Sequence, residues 1–171
     1  MTDNRRRLLV GFASALIVLV FAHAQNGAGA DAALRIGGDI PTPVTLTAAD
    51  LAAMTHESAT VMAEDGTKST YDGVPLRDLL SKAGAPFGKQ LHGKNMTAYV
   101  LATARDGYQV VFTLAELDPA FGNEHILVAD KHEGKPIPAP LGPLRIVWVN
   151  DKAGARSLRM LETLEVARVR K

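Results

Sequence analysis

The chain has 171 residues, room for one domain, with 47% hydrophobic residues, a formal net charge of +1 and no cysteine. The missing cysteine excludes a disulfide framework, a thiolate metal ligand and a cysteine nucleophile. A near-neutral charge excludes the basic balance that drives nucleic-acid binding.

The chain opens on MTDNRRR, a basic stretch, followed by LLVGFASALIVLVFA (8–22), an apolar run. Ala22-His23-Ala24 is a small-x-small cleavage site, with Ala28-Gly29-Ala30 as a second candidate. These features predict a secretory signal peptide over 1–24 and a periplasmic protein. The apolar run is just short of the ~20 residues a membrane span needs, which leaves a retained membrane anchor as the alternative; after signal cleavage no span is expected. Asn4-Arg5-Arg6-Arg7 loosely suits a twin-arginine signal, which leaves the export route open. Cleavage would remove three arginines and Asp3, taking the net charge from +1 to −1.

Residues 25–33 read as a flexible lead-in. LRIGGDI (34–40) reads as a strand and turn, and Val44 and Leu46 alternate as a strand does. Thr47 is an N-cap with Asp50 three residues on, opening a short helix. SATVMA (58–63) and KSTYDGV (68–74) predict a hairpin around Asp65-Gly66. In VPLRDLLSKAG (74–84), Leu76, Leu79, Leu80 and Ala83 recur at helical spacing, with Pro75 in the first turn and Gly84 at the end. MTAYVLATA (96–104) predicts a buried strand that turns at Asp106-Gly107 and returns through QVVFT. Thr113 and Glu116 form a second capping box. HILVADKH (125–132) and KPIP (135–138) predict another hairpin around Glu133-Gly134. LRIVWV (144–149) and LETLEVARV (161–169) are the last strands. The whole predicts a mainly antiparallel α+β domain, a mixed sheet with about three short helices.

The histidines lack metal-ligand spacing and are expected on the surface or in loops. Glu64 and Asp65 read as turn residues. Trp148 shares the parity of Ile146 and Leu144, which predicts a core position. Tyr71, Tyr99, Tyr108 and Trp148 are also candidates to line a pocket. Tyr108, Asp106 and Arg105 are expected at a rim.

GARSLRML (154–161) connects the last two strands and holds two arginines around a serine. Either it is a solvated turn paired with Asp151, Glu162 or water, or it grips an anion. Arginine presents a planar fork of donors matched to an oxyanion, and a serine hydroxyl adds another donor.

Four segments in one order carry a resemblance. They are Gly73-Val74-Pro75-Leu76 with Leu79-Leu80, then DGYQVVFTLAEL (106–117). Leu127-Val128-Ala129-Asp130 follows, with Gly134-Lys135-Pro136-Ile137 and Gly142-Pro143-Leu144-Arg145. Gly154-Ala155-Arg156-Ser157-Leu158-Arg159-Met160-Leu161 closes the set. Together they resemble the molybdopterin-binding domain of the sulfite-oxidase family, whose corresponding segment reads GARSVKWL. The resemblance implies that residues 34–171 take that fold. It also implies that Arg156, Ser157 and Arg159 hold the pterin and its phosphate, with Lys152 and Gly154 completing the cradle.

The family's molybdenum carries a cysteine ligand, which the resemblance puts near Met62 or Ala63. With no cysteine in the chain, the expectation is a degenerate module that binds a small anionic ligand or a periplasmic protein partner. No cofactor is expected. The alternatives left open are a molybdopterin-dependent oxidoreductase, or a subunit of one, and a periplasmic scaffold.

Overall fold

The structure, a computed structural model, describes residues 34–62, 65–151 and 154–169. The expected signal peptide, the lead-in, Ala63, Glu64 and Lys152 lie outside the described residues.

The elements in chain order are β1 (Leu34–Gly38), β2 (Val44–Leu46), α1 (Ala48–Ala52), β3 (Glu57–Met62), β4 (Lys68–Pro75) and α2 (Leu76–Lys82). After two short 3-10 turns come β5 (Ala98–Ala104), β6 (Gln109–Thr113), α3 (Leu114–Leu117) and β7 (Ile126–His132). The chain ends with β8 (Lys135–Pro136), β9 (Arg145–Trp148) and β10 (Leu161–Arg168). The expected α+β domain is present, with two sheets in place of one. The first has the order β2-β1-β10-β5-β6; the second runs β3-β4-β7-β8, with β9 also on β7. All pairings are antiparallel except β1 with β10.

The sheets face each other across the core. Ile36, Val100 and Phe112 from the first sheet meet Val74, Val128, Ile146 and Trp148 from the second, and α2 adds Leu76, Leu79 and Leu80. β5 shows the cause in its sequence, because its residues alternate between buried and half-buried positions at the two-residue period of a strand. Both capping boxes form. The Thr47 hydroxyl accepts from the Asp50 N–H and the Thr113 hydroxyl from the Glu116 N–H, while each carboxylate returns a bond to the cap backbone.

Two boundaries differ from the sequence expectation. Pro75 ends β4 opposite Leu127 and caps α2 from outside, because its extended backbone continues the strand. Met96 and Thr97 belong to a 3-10 turn, so β5 starts at Ala98. Between them in the fold, β4 and β7 meet at Gly73, where a Cβ would come within 2.3 Å of the Val128 carbonyl oxygen. The register slips there, leaving Asp130 as the extra residue of a bulge.

A smaller cluster lies on the other face of the second sheet and contains Tyr71, Ala129, Ile137 and Val147. By parity along β9, Arg145 shares this face with Val147, opposite Ile146 and Trp148.

Asp118 is 1% exposed, the one buried charged side chain among the described residues. Its carboxylate accepts from the Gly88 N–H at 2.5 Å and the Ala120 N–H at 2.9 Å. Burial alone would raise its pKa. The two N–H donors and the Arg77 charge outweigh burial and hold the carboxyl below its ordinary value. A depressed folded value stabilises the protein above the unfolded value of 3.8, and that stabilisation is lost as pH falls through the folded value. Asp118→Ala should lower stability by about 2 kcal/mol near neutral pH, since two buried donors lose their charged acceptor. Asp118→Asn should flatten the acid limb of the stability curve. Chemical denaturation at a series of pH values measures both.

Candidate functional site

The segment after β9 leaves the second sheet, turns, and enters the first sheet as β10. On the way it runs back along β9. The Ile146 N–H donates to the Leu158 carbonyl at 2.7 Å, the Leu161 N–H to the Leu144 carbonyl at 2.9 Å, and Arg145 bridges Arg159. This return brings two arginines of opposite segments side by side.

A cavity of 560 Å³ opens beside them, lined by Asp106, Tyr108, Leu141, Arg145, Ser157 and Arg159, with Gly154, Ala155 and Leu158 completing the wall. Its size suits a small organic molecule. The Tyr108 hydroxyl donates to the Ala155 carbonyl at 3.0 Å, tying the β5–β6 turn to the loop before β10. Gly154 has φ +61°, in the left-handed region, where a side chain would strain the loop.

Arg145 is the half-buried member of the arginine pair. Its Nη1 donates to the Tyr71 hydroxyl at 2.9 Å, and its guanidinium lies over the Tyr71 ring at 4.8 Å. Tyr71 in turn stacks on His132 at 4.6 Å. Nη2 reaches the Ser157 carbonyl at 3.5 Å, and Nε is buried with no hydrogen-bond partner. No carboxylate pairs with Arg145 or Arg159 among the described residues. Burial pushes the Arg145 guanidinium below its ordinary value; the Tyr71 hydroxyl opposes this and the Arg159 charge adds to it. A guanidinium nonetheless stays protonated. The cavity therefore presents two fixed cations and one carboxylate, Asp106, which favours an anion at the arginine end.

The expected site residues divide. Gly154, Ser157 and Arg159 line the cavity. Arg156 is turned elsewhere: it lies over the Trp148 ring at 3.5 Å, bonds Asp151 at 3.3 Å and reaches Glu116 at 3.8 Å. It matches the solvated-turn alternative in its Asp151 partner, whereas Glu162 pairs with Arg35. Ser157 lines the cavity, but its hydroxyl also accepts from the Trp148 N–H at 3.3 Å. Arg145, the last residue of Gly142-Pro143-Leu144-Arg145, is the cavity cation that the sequence reading does not single out. Its signal was a charge opening the otherwise apolar strand RIVW.

Tyr108 and Asp106 sit at the rim as expected, and Trp148 is in the core. Tyr71 is buried in the smaller cluster. His92 is exposed and His125 half-buried. His56 is half-buried as well, held between the Met54 carbonyl at 3.0 Å and Asp130 at 3.2 Å.

The group implied by the resemblance fits in one part and not in another. The buried, unpartnered Arg145 Nε and the adjacent Arg159 suit its anionic portion. Its metal does not fit, because no thiolate exists in the chain and Met62, exposed at the end of β3, offers a neutral thioether. Among the described residues no three His, Asp or Glu side chains form a metal-binding group.

A family model described as "Oxidoreductase molybdopterin binding domain" matches residues 24–171. A search of curated proteins gave no match. The crystal structure of the sulfane dehydrogenase SoxCD from Paracoccus pantotrophus is similar over 78% of this chain, with a TM-score of 0.59 and 20% identity. This chain spans 37% of that longer one. The family match covers most of the sequence, and the similarity in fold agrees with it: the chain belongs to the oxidoreductase molybdopterin-binding domain family.

Proposed function

We propose that this protein is an exported, degenerate member of its family that binds a small anionic ligand between Arg145 and Arg159 without thiolate-bound molybdenum. The observation that carries this reading is a cavity with two arginines lacking carboxylate partners among the described residues, in a chain without cysteine. Arg145 holds the inner end of the ligand and Arg159 the outer end, while Gly154 and Ser157 shape the wall. Lys152, next to Gly154 in sequence, is a further candidate contact. Arg156 acts as a positioning residue, since its stacking on Trp148 and its bond to Asp151 fix the loop that carries Ser157 and Arg159. Export rests on the basic and apolar N-terminal segments. Sequencing the N-terminus of protein recovered from a bacterial periplasm tests it.

Arg159→Ala should weaken binding of inorganic phosphate by roughly 10- to 150-fold in calorimetry, the equivalent of about 1.5–3 kcal/mol for a charged hydrogen bond. Arg145→Gln should do the same. Arg156→Ala should instead cost about 1 kcal/mol of stability, visible in thermal melts, through its lost stacking and partly exposed ion pairs. Its effect on affinity should be smaller than that of Arg159→Ala; an equal loss would move the anion contact to Arg156.

Metal analysis and oxidised-pterin fluorescence on protein from a molybdenum-fed host separate this reading from a molybdenum oxidoreductase. The expected result is no stoichiometric molybdenum. Stoichiometric molybdenum with pterin would sink the degenerate-module reading.

A further inference from the structure

We propose that β6 pairs antiparallel with β6 of a second copy of this chain, across a two-fold axis at Val111. β6 is an edge of the first sheet, with β5 on its other side. Such an edge presents open backbone donors and acceptors unless something blunts it.

The other edges are blunted or irregular. β2 has three residues and follows Pro41 and Pro43, and β8 has two residues including Pro136. The open side of β9 is taken by the returning segment at Leu158 and Arg159. β3 is long but opens on Glu57, which is engaged by His125 at 2.7 Å.

β6 is capped only at its last residue, where the Glu116 carboxylate accepts from the Thr113 N–H and hydroxyl. Its sequence QVVFT has no charge, no proline and no register shift against β5. Its pattern of polar ends, buried flanking residues and a central valine reads the same in both directions. The exposed side chains are Gln109, Val111 and Thr113, with Val111 at 49% exposure.

The backbone has the matching phase. The Ala104 N–H donates to the Tyr108 carbonyl at 2.9 Å. Antiparallel ladders alternate, so Ala102–Val110 and Val100–Phe112 are the bonded pairs within the sheet. Gln109, Val111 and Thr113 therefore turn their backbone groups to the open side. A two-fold axis at Val111 sets Val111 opposite itself as a bonded pair and Gln109 opposite the partner subunit's Thr113. The Thr113 N–H is bonded to Glu116 at 2.7 Å and its carbonyl, at the N-cap of α3, accepts the first bond of that helix, so the Val111 pair supplies the hydrogen bonds across the axis.

On the outer face, Val111 stands beside half-buried Leu101. Pairing joins the two Val111 and the two Leu101 side chains into one apolar row across the axis. The same register sets the start of the partner subunit's α3 beside Tyr108, which lines the cavity. This pairing stands independently of what the cavity binds.

Sedimentation velocity on the purified protein over a concentration series tests it. The expected result is a concentration-dependent shift from one chain to two. Val111→Lys, which sets like charges opposite each other on a solvent-facing position, should weaken self-association at least about tenfold. Circular dichroism and thermal melts check that this variant stays folded. Val111→Cys gives a single thiol in a chain that has none. Bonded antiparallel partners lie about 5.5 Å apart, within disulfide reach. Under mild oxidation this variant should cross-link into two-chain species, while Thr45→Cys at the far edge should not. The proposal is overturned by a protein that stays monomeric throughout. It is equally overturned by a dimer that Val111→Lys leaves intact, or by Val111→Cys cross-linking no faster than Thr45→Cys.

Discussion

The hydrogen bonds that lay the segment before β10 back along β9 are the constraint on which the site depends. The Ile146–Leu158 and Leu161–Leu144 backbone bonds commit the chain to one path between the two sheets. Backbone groups in a buried crossing must find partners, so the path has little freedom. Along it, Leu158 drops into the core while its neighbours Ser157 and Arg159 face the cavity. Arg145 arrives from β9 on the face opposite Trp148. The arginine pair is thus a product of strand parity and one crossing, and neither residue could reach the cavity on a different register.

A second consequence follows for Arg156. The crossing places it over Trp148, whose other neighbours include Phe112 at 5.6 Å. The guanidinium is flat and weakly hydrated, so it covers an aromatic face at little desolvation cost. Asp151 and Glu116 then complete its pairing. Two arginines three residues apart in sequence end in different surroundings, Arg156 over Trp148 and Arg159 on the cavity. The cation pair lines its cavity in a chain without cysteine.

Much of the fold could be read in the chain. The two capping boxes, the Asp106-Gly107 turn and the helical spacing of Leu76, Leu79, Leu80 and Ala83 all formed where the residues pointed. These are signals whose partners lie within a few residues of each other. Trp148 was legible as core from the parity of LRIVWV. Pro75 was misplaced by one element, because strand pairing with Leu127 is a long-range contact that no helix-start rule contains. The cavity wall was legible to the level of the segment: Gly154, Ser157 and Arg159 of 154–159 line it. The choice between Arg156 and Arg145 was not, because side-chain direction in a loop depends on what packs beneath it.

The sequence by itself determined the absence of thiolate chemistry, the strand and helix periods, the turns and the family pattern. Each of these is a property of residue types or of spacings short enough for local hydrogen bonds and backbone preferences to decide. Only the tertiary structure decided that the sheet is two facing sheets, that β1 joins β10 in parallel, and that Arg145 shares a cavity with Arg159. Those outcomes depend on contacts between distant segments, where core packing and the satisfaction of buried backbone groups select one arrangement among many that the same local signals allow.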